Sequence, residues 1–236
     1  MTTSQTNLYH LTIREAAGLL KSGQLSPVEL TQAFLDRIAA TDDRLHSYII
    51  VLKEQALDDA RLAEAEIRRG GYKGPLHGIP FALKDLYDTA GVTTTAGSKV
   101  YIDRVPTEDA TTTARLKAAG GILLGKLAMH EFALGGPDFT TPFPPARNPW
   151  NLDHITGGSS SGSGSAVASG QAMAALVVAD KAQPGGQQRQ HLVPEPQIGA
   201  QGIGEDDGRA IGIAFVGVVD MQPVKFRYTH QYGSPT

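Results

Sequence analysis

The 236-residue chain contains no cysteine, which removes a thiol nucleophile, a disulfide and a thiolate metal site together. No apolar run approaches the ~18 residues a membrane-crossing helix requires, so no membrane partner is expected. The polar opening Met1-Thr-Thr-Ser-Gln-Thr-Asn7 lacks the apolar stretch of a secretory leader, and the cytoplasm is the expected location. A formal net charge of −3 leaves no basic footprint for nucleic acid. The seven histidines are scattered. His130-Glu131 has no second histidine at zincin spacing, so no metal is expected, and no cofactor either. Serine and threonine are absent between Ser169 and Thr229, which bears on nucleophilic chemistry below. With 41% hydrophobic and 19% charged residues, what remains is a globular chain with one good core.

The stretch with the most chemical potential is Gly157-Gly-Ser-Ser-Ser-Gly-Ser-Gly-Ser165. Glycine permits φ > 0 and close backbone approach, and serine supplies hydroxyls that serve as nucleophile, proton relay or cap. By composition such a run is a linker more often than a site. This one is short and passes directly into the helix-compatible segment Ala166 to Ala179, which a linker does not need.

Upstream, Thr12-Ile-Arg-Glu15 has the spacing of a capping box, and Ser26-Pro27-Val28-Glu29 opens a second helix along Leu30, Phe34 and Ile38. A β-rich Tyr48-Ile-Ile-Val51 precedes a third helical stretch from about Lys53 to Arg69, closed by Gly70-Gly71. These helices carry no chemical cluster. Ile79 to Leu83 reads as a buried strand with Lys84 and Asp85 at its end. A lysine there is either a solvated strand terminus or, at the carboxyl end of an α/β strand, a desolvated general base. A helix from Glu108 to Ala119 and the strand Ile122-Leu-Leu-Gly125 continue an α/β rhythm. Pro137 to Pro149, dense in proline, is expected to be irregular.

Three ordered motifs carry a family resemblance. Gly78-Ile-Pro-Phe-Ala-Leu-Lys-Asp85, Pro144-Pro-Ala-Arg-Asn-Pro-Trp-Asn151 and Thr156-Gly-Gly-Ser-Ser-Ser-Gly-Ser-Gly-Ser-Ala-Val-Ala168 resemble the amidase signature family, over roughly residues 8 to 176. That family includes broad amidases and the A subunit of glutamyl-tRNA(Gln) amidotransferase. The resemblance implies an α/β/α sandwich around a mixed sheet, here incomplete and preceded by helices. It also implies hydrolysis of a small-molecule carboxylic amide through an acyl-enzyme. Motif by motif, Lys84 matches the family's base and Ser159 its bridging serine, held by a cis peptide; Gly157, Gly158, Ser160 and Ser163 are supporting positions.

After Leu176 the chain departs from that pattern. Family members continue with a Thr-Asp-x-Gly-Gly-Ser-Ile-Arg type segment whose serine is the nucleophile, whereas here the residues are Val177-Val-Ala-Asp-Lys-Ala-Gln-Pro-Gly-Gly-Gln-Gln-Arg189. Spacing from Ser159 places Gln183 in the nucleophile position, and alignment of the Gly-Gly pair places Gln187 there. Neither side chain attacks a carbonyl. The expected organisation is one domain: a helical segment over 1–70, an amidase-like core over 71–180, a Gln/Gly/Pro-rich loop over 181–210 and a partial core strand with a tail over 211–236. Phe215-Val-Gly-Val-Val-Asp-Met-Gln-Pro223 occupies the position of a family strand. A shifted reading frame across about 177 to 210, followed by truncation, is one hypothesis for the departure, and an uninterrupted frame in the sequenced gene and its native transcripts would refute it.

Three readings follow. The chain is an amidase by descent that lacks its nucleophile, or it is a working amidase that uses Ser160 or Ser161, or is completed by a partner chain. Alternatively it is a non-catalytic interaction module, self-associating through exposed sheet edges.

Overall fold

The computed structural model describes residues 8–176 together with two short strands at 178–179 and 212–213. The expected loop over 181–210 and most of the tail lie outside the described residues. Helix α1 (Ile13–Lys21) begins on the capping box: Glu15 N donates to Thr12 Oγ1 at 3.3 Å, and Thr12 N donates to Glu15 Oε2 at 2.8 Å. Helix α2 (Pro27–Leu45) has proline in its first turn, and Ser26 Oγ accepts from Val28 N at 3.0 Å. It stops at His46, which takes a left-handed conformation with φ 51°. Strand β1 (Tyr48–Val51) and helix α3 (Lys53–Arg68) follow.

Next come β2 (Pro80–Lys84), α4 (Thr111–Ala118) and β3 (Ile122–Leu127). Then follow a small hairpin of β4 (Arg147–Asn148) and β5 (Asn151–Ile155), helix α5 (Ser161–Ala168) and β6 (Ala174–Leu176). The main sheet runs β1-β3-β2-β6, and β7 (Val178–Ala179) pairs separately with β8 (Gly212–Ile213). Within the main sheet β1 lies antiparallel to β3, while β2 is parallel to both β3 and β6. Every residue of β2, β3 and β6 is buried, as expected of parallel strands covered on both faces.

The alternation of side chains sorts these strands between two cores. Ile79, Ala82, Ile122, Leu124 and Ala175 face helices α1, α2, α3 and α5, and pack with Leu20, Leu30, Phe34 and Val167. Phe81, Leu83, Leu123, Ala174 and Leu176 face the other way, toward Leu116 of α4 and Tyr87. Helices therefore cover both faces of a mixed sheet, an α/β/α arrangement.

Three local expectations require correction. The helix expected from Glu108 starts at Thr111, because Asp109 is used outside it: its carboxylate accepts from Ala90 N at 2.8 Å and from Lys117 Nζ at 2.9 Å. The apolar segment 166–179 is not one helix. Helix α5 begins earlier, inside the Gly/Ser run, and ends at Ala168, so that 174–176 can enter the sheet beside β2. The stretch after Pro145 is not irregular throughout, since Arg147 pairs with Ile155 and Asn148 with Asn151.

Candidate active site

Lys84 is the last residue of β2, paired with Leu127 across the parallel ladder, and it is fully buried. Its Nζ donates to Ser159 Oγ at 2.7 Å, joining residues 75 apart in sequence. The solvated-lysine alternative is thereby excluded for this fold. Ser159 sits in the loop entering α5, and the Gly158-Ser159 peptide bond is cis.

That loop is tied to the backbone following β3. His130 N donates to Ser159 O at 3.0 Å, Gly162 N donates to Ala128 O at 2.8 Å, and Ala128 N donates to Ser47 O at 2.8 Å. The glycines make such closeness workable. A Cβ on Gly162 would collide with Ser47 O and Ala128 N, and one on Gly158 with the His130 ring. Ser163 Oγ donates to Leu176 O at 3.2 Å, which fastens α5 to the end of β6. Ser161 O accepts from Thr156 Oγ1 at 2.8 Å. Ser160 precedes the helix and its side chain makes no capping bond; Gly157 has φ 81°. Gln183 and Gln187 lie outside the described residues.

Beside Lys84 is a second buried lysine that sequence reasoning left unassigned. Lys126 of β3 is fully buried, with Nζ 3.1 Å from Asp85 Oδ1, 2.6 Å from Thr94 Oγ1 and 2.9 Å from Tyr87 O. Burial pushes the Lys126 amine below its ordinary range, and the facing Asp85 carboxylate pushes it back up. Asp85 Oδ2 in turn accepts from Thr95 N at 2.9 Å and from Thr95 Oγ1 at 2.5 Å. The loop from Asp85 to Ser98 is thus anchored to the carboxyl ends of β2 and β3, where Lys84 emerges. The signal for this was present in Ile122-Leu-Leu-Gly-Lys-Leu127, since a lysine inside so apolar a strand has to find a buried counter-charge.

The same loop is closed at its rim by Arg104, whose two terminal nitrogens each meet an Asp88 oxygen at 2.7 Å. That fork holds the Asp88 carboxyl below its ordinary 3.8. A lowered carboxyl binds its proton less readily in the folded chain, so its stabilisation is complete above about pH 4 and fades as pH falls through the lowered value. Asp88→Asn is expected to flatten the acid limb of the stability curve by less than about 1 kcal/mol, because the pair is partly exposed. Urea midpoints measured from pH 3 to pH 6 check this; an unchanged acid limb would contradict it.

With this geometry in place, comparison with known proteins is decisive. Residues 29–177 match the amidase family. The chain belongs to that family. Over 169 residues it is 48% identical to the A subunit of glutamyl-tRNA(Gln) amidotransferase from Moorella thermoacetica, covering 72% of this chain and 35% of that protein. Among solved structures it is similar to the native peptide amidase of Stenotrophomonas maltophilia, with 36% identity, TM-score 0.65, and coverage of 70% of this chain and 35% of that one. It is also similar to a bacterial aryl acylamidase of the amidase signature family, with 29% identity, TM-score 0.67, and coverage of 71% and 35%. The chain spans about a third of the length of the curated relatives it matches. The family match ends at residue 177.

Proposed function

We propose that this chain carries the proton-relay half of an amide-hydrolysing site, with Lys84 as base and Ser159 as the hydroxyl between base and nucleophile. One observation carries the reading, the 2.7 Å contact from Lys84 Nζ to Ser159 Oγ. In its neutral form the lysine amine takes the Ser159 proton while Ser159 takes one from an attacking hydroxyl. Reversal of the relay delivers that proton to the departing amine. The bond broken is the C–N bond of a small carboxylic amide, and the intermediate is an acyl ester on the attacking group.

The attacking group is what this chain lacks. Gln183 or Gln187 stands where the family resemblance places a serine, and no serine or threonine occurs from residue 170 to residue 228. The reading is therefore an amidase by descent, with no amide turnover by the chain alone. Treatment with a fluorophosphonate followed by peptide mass spectrometry tests it, together with ammonia release from simple amides. No adduct and no ammonia are expected from chain shown to be folded by circular dichroism. A single adduct on Ser160 or Ser161 that vanishes in Lys84→Ala would replace this reading with that of a working amidase.

A second reading, a non-catalytic module, is favoured by the position of β6 at the end of the main sheet, where no described strand pairs with its outer side. It predicts concentration-dependent self-association without amide turnover. Sedimentation velocity that shows a monomer at every concentration would remove it.

A further inference from the structure

His130 is named by no motif of the relay, yet it is the side chain against which the Ser159 loop is seated. Its ring is buried, 8% exposed, and lies so close to Gly158 that no Cβ fits there. Its backbone N–H donates to Ser159 O at 3.0 Å. The other face of the clamp is a tight turn. His130 Nδ1 lies 3.0 Å from Gly135 O, and because a carbonyl only accepts, Nδ1 carries the hydrogen.

The turn that delivers this carbonyl is conformationally costly. Phe132, Ala133 and Gly135 all take left-handed conformations, with φ 49°, 60° and 65°. For the two residues that carry a Cβ this geometry is disfavoured and persists only where surrounding contacts fix it. Those contacts are Phe132 N to Ala96 O at 2.8 Å, Ala133 N to His130 O at 2.9 Å and Leu134 N to Glu131 O at 3.0 Å. The Ala96 carbonyl belongs to the loop anchored on Asp85, so the clamp begins one residue from Lys84. Both halves of the relay are thus referred to one framework.

We infer that His130 is a positioning residue: clamped by the Gly135 carbonyl and seated on Gly158, it fixes the register at which Ser159 Oγ meets Lys84 Nζ. The inference rests on the reading of Lys84 and Ser159 as a relay. It does not give His130 a part in proton transfer, since its ring is directed to Gly158 and Gly135.

The test reads Lys84 itself in the full chain. Lys84 acetylation by trace acetic anhydride is followed by peptide mass spectrometry from pH 6 to pH 10 and referred to an added free amine. Loss of the serine contact in Ser159→Ala should raise the Lys84 rate by about tenfold, the scale of one hydrogen bond to a chargeable amine. His130→Ala should raise it in the same direction to a similar extent. His130→Asn, whose side-chain amide can still donate to Gly135 O, should stay within about twofold of the parent. If His130→Ala does not fold, His130→Gln takes its place, since its longer arm carries the amide past the Gly135 carbonyl. A parent-like profile in a folded His130→Ala or His130→Gln chain, alongside a raised one in Ser159→Ala, overturns the inference and leaves the relay standing. A parent-like profile in Ser159→Ala overturns the relay reading, and with it this one.

Discussion

Lys126→Met is expected to cost about 3 to 5 kcal/mol of folding stability, measured by urea unfolding at neutral pH. The loss comes from what remains behind. Asp85 is fully buried with Lys126 as its cation, and removing the amine leaves its carboxylate facing an apolar strand with only the Thr95 donors. Tyr87 O and Thr94 Oγ1 lose a hydrogen-bond partner at the same time. The double variant Lys126→Met with Asp85→Asn should recover a substantial part, because no ion is then left without a counter-charge. A single-variant loss below about 1 kcal/mol would show that Asp85 is satisfied without Lys126.

Two glycines of helix α5 should respond to alanine with opposite signs. At Gly162 the added methyl would collide with backbone atoms of Ser47 and Ala128, which cannot rotate away as a side chain can. A loss at the upper end of the usual overpacking range, about 3 kcal/mol, is expected, together with separation of Ser159 from Lys84. At Gly164 the nearest atom is Thr156 Cβ at 3.9 Å, an ordinary contact, and the position is exposed. There alanine should stabilise by about 0.5 to 1 kcal/mol through helix propensity alone. Thermal melts of the two variants settle both predictions. Equal effects would mean that the Gly162 seat gives way and that the loop is not held by the close approach described above.

The parts of the fold that can be read from the chain are those set by local chemistry. Thr12 and Glu15 three apart, or Ser26 before Pro27, announce a helix start whatever lies elsewhere. Lys84 and Ser159 are singled out by their motifs, and the fold brings the two side chains within hydrogen-bond distance. The beginning of α5 is not, because helix propensity argues against Ser-Gly-Ser-Gly, and only the packing of Gly162 on Ser47 and Ala128 shows why a small residue is demanded. Lys126 is hidden for a similar reason. Its meaning depends on Asp85, which comes beside it only once β2 and β3 lie parallel. His130 invites comparison with a metal ligand through its neighbour Glu131, but its use lies in the shape of the ring against Gly158, which no spacing rule reports.

The strand order has a consequence for the history of each molecule during synthesis. Lys84 is made 75 residues before the hydroxyl it meets, an interval of roughly 4 to 15 seconds at about 5 to 20 residues per second. Once β3 has followed it, β2 can align with β3 but not with β6, which comes after Ser159 in the chain. A growing chain therefore holds one bare flank of its central strand while still tethered to the ribosome. Nascent-chain neighbours and chaperones meet that flank before the closing strand does.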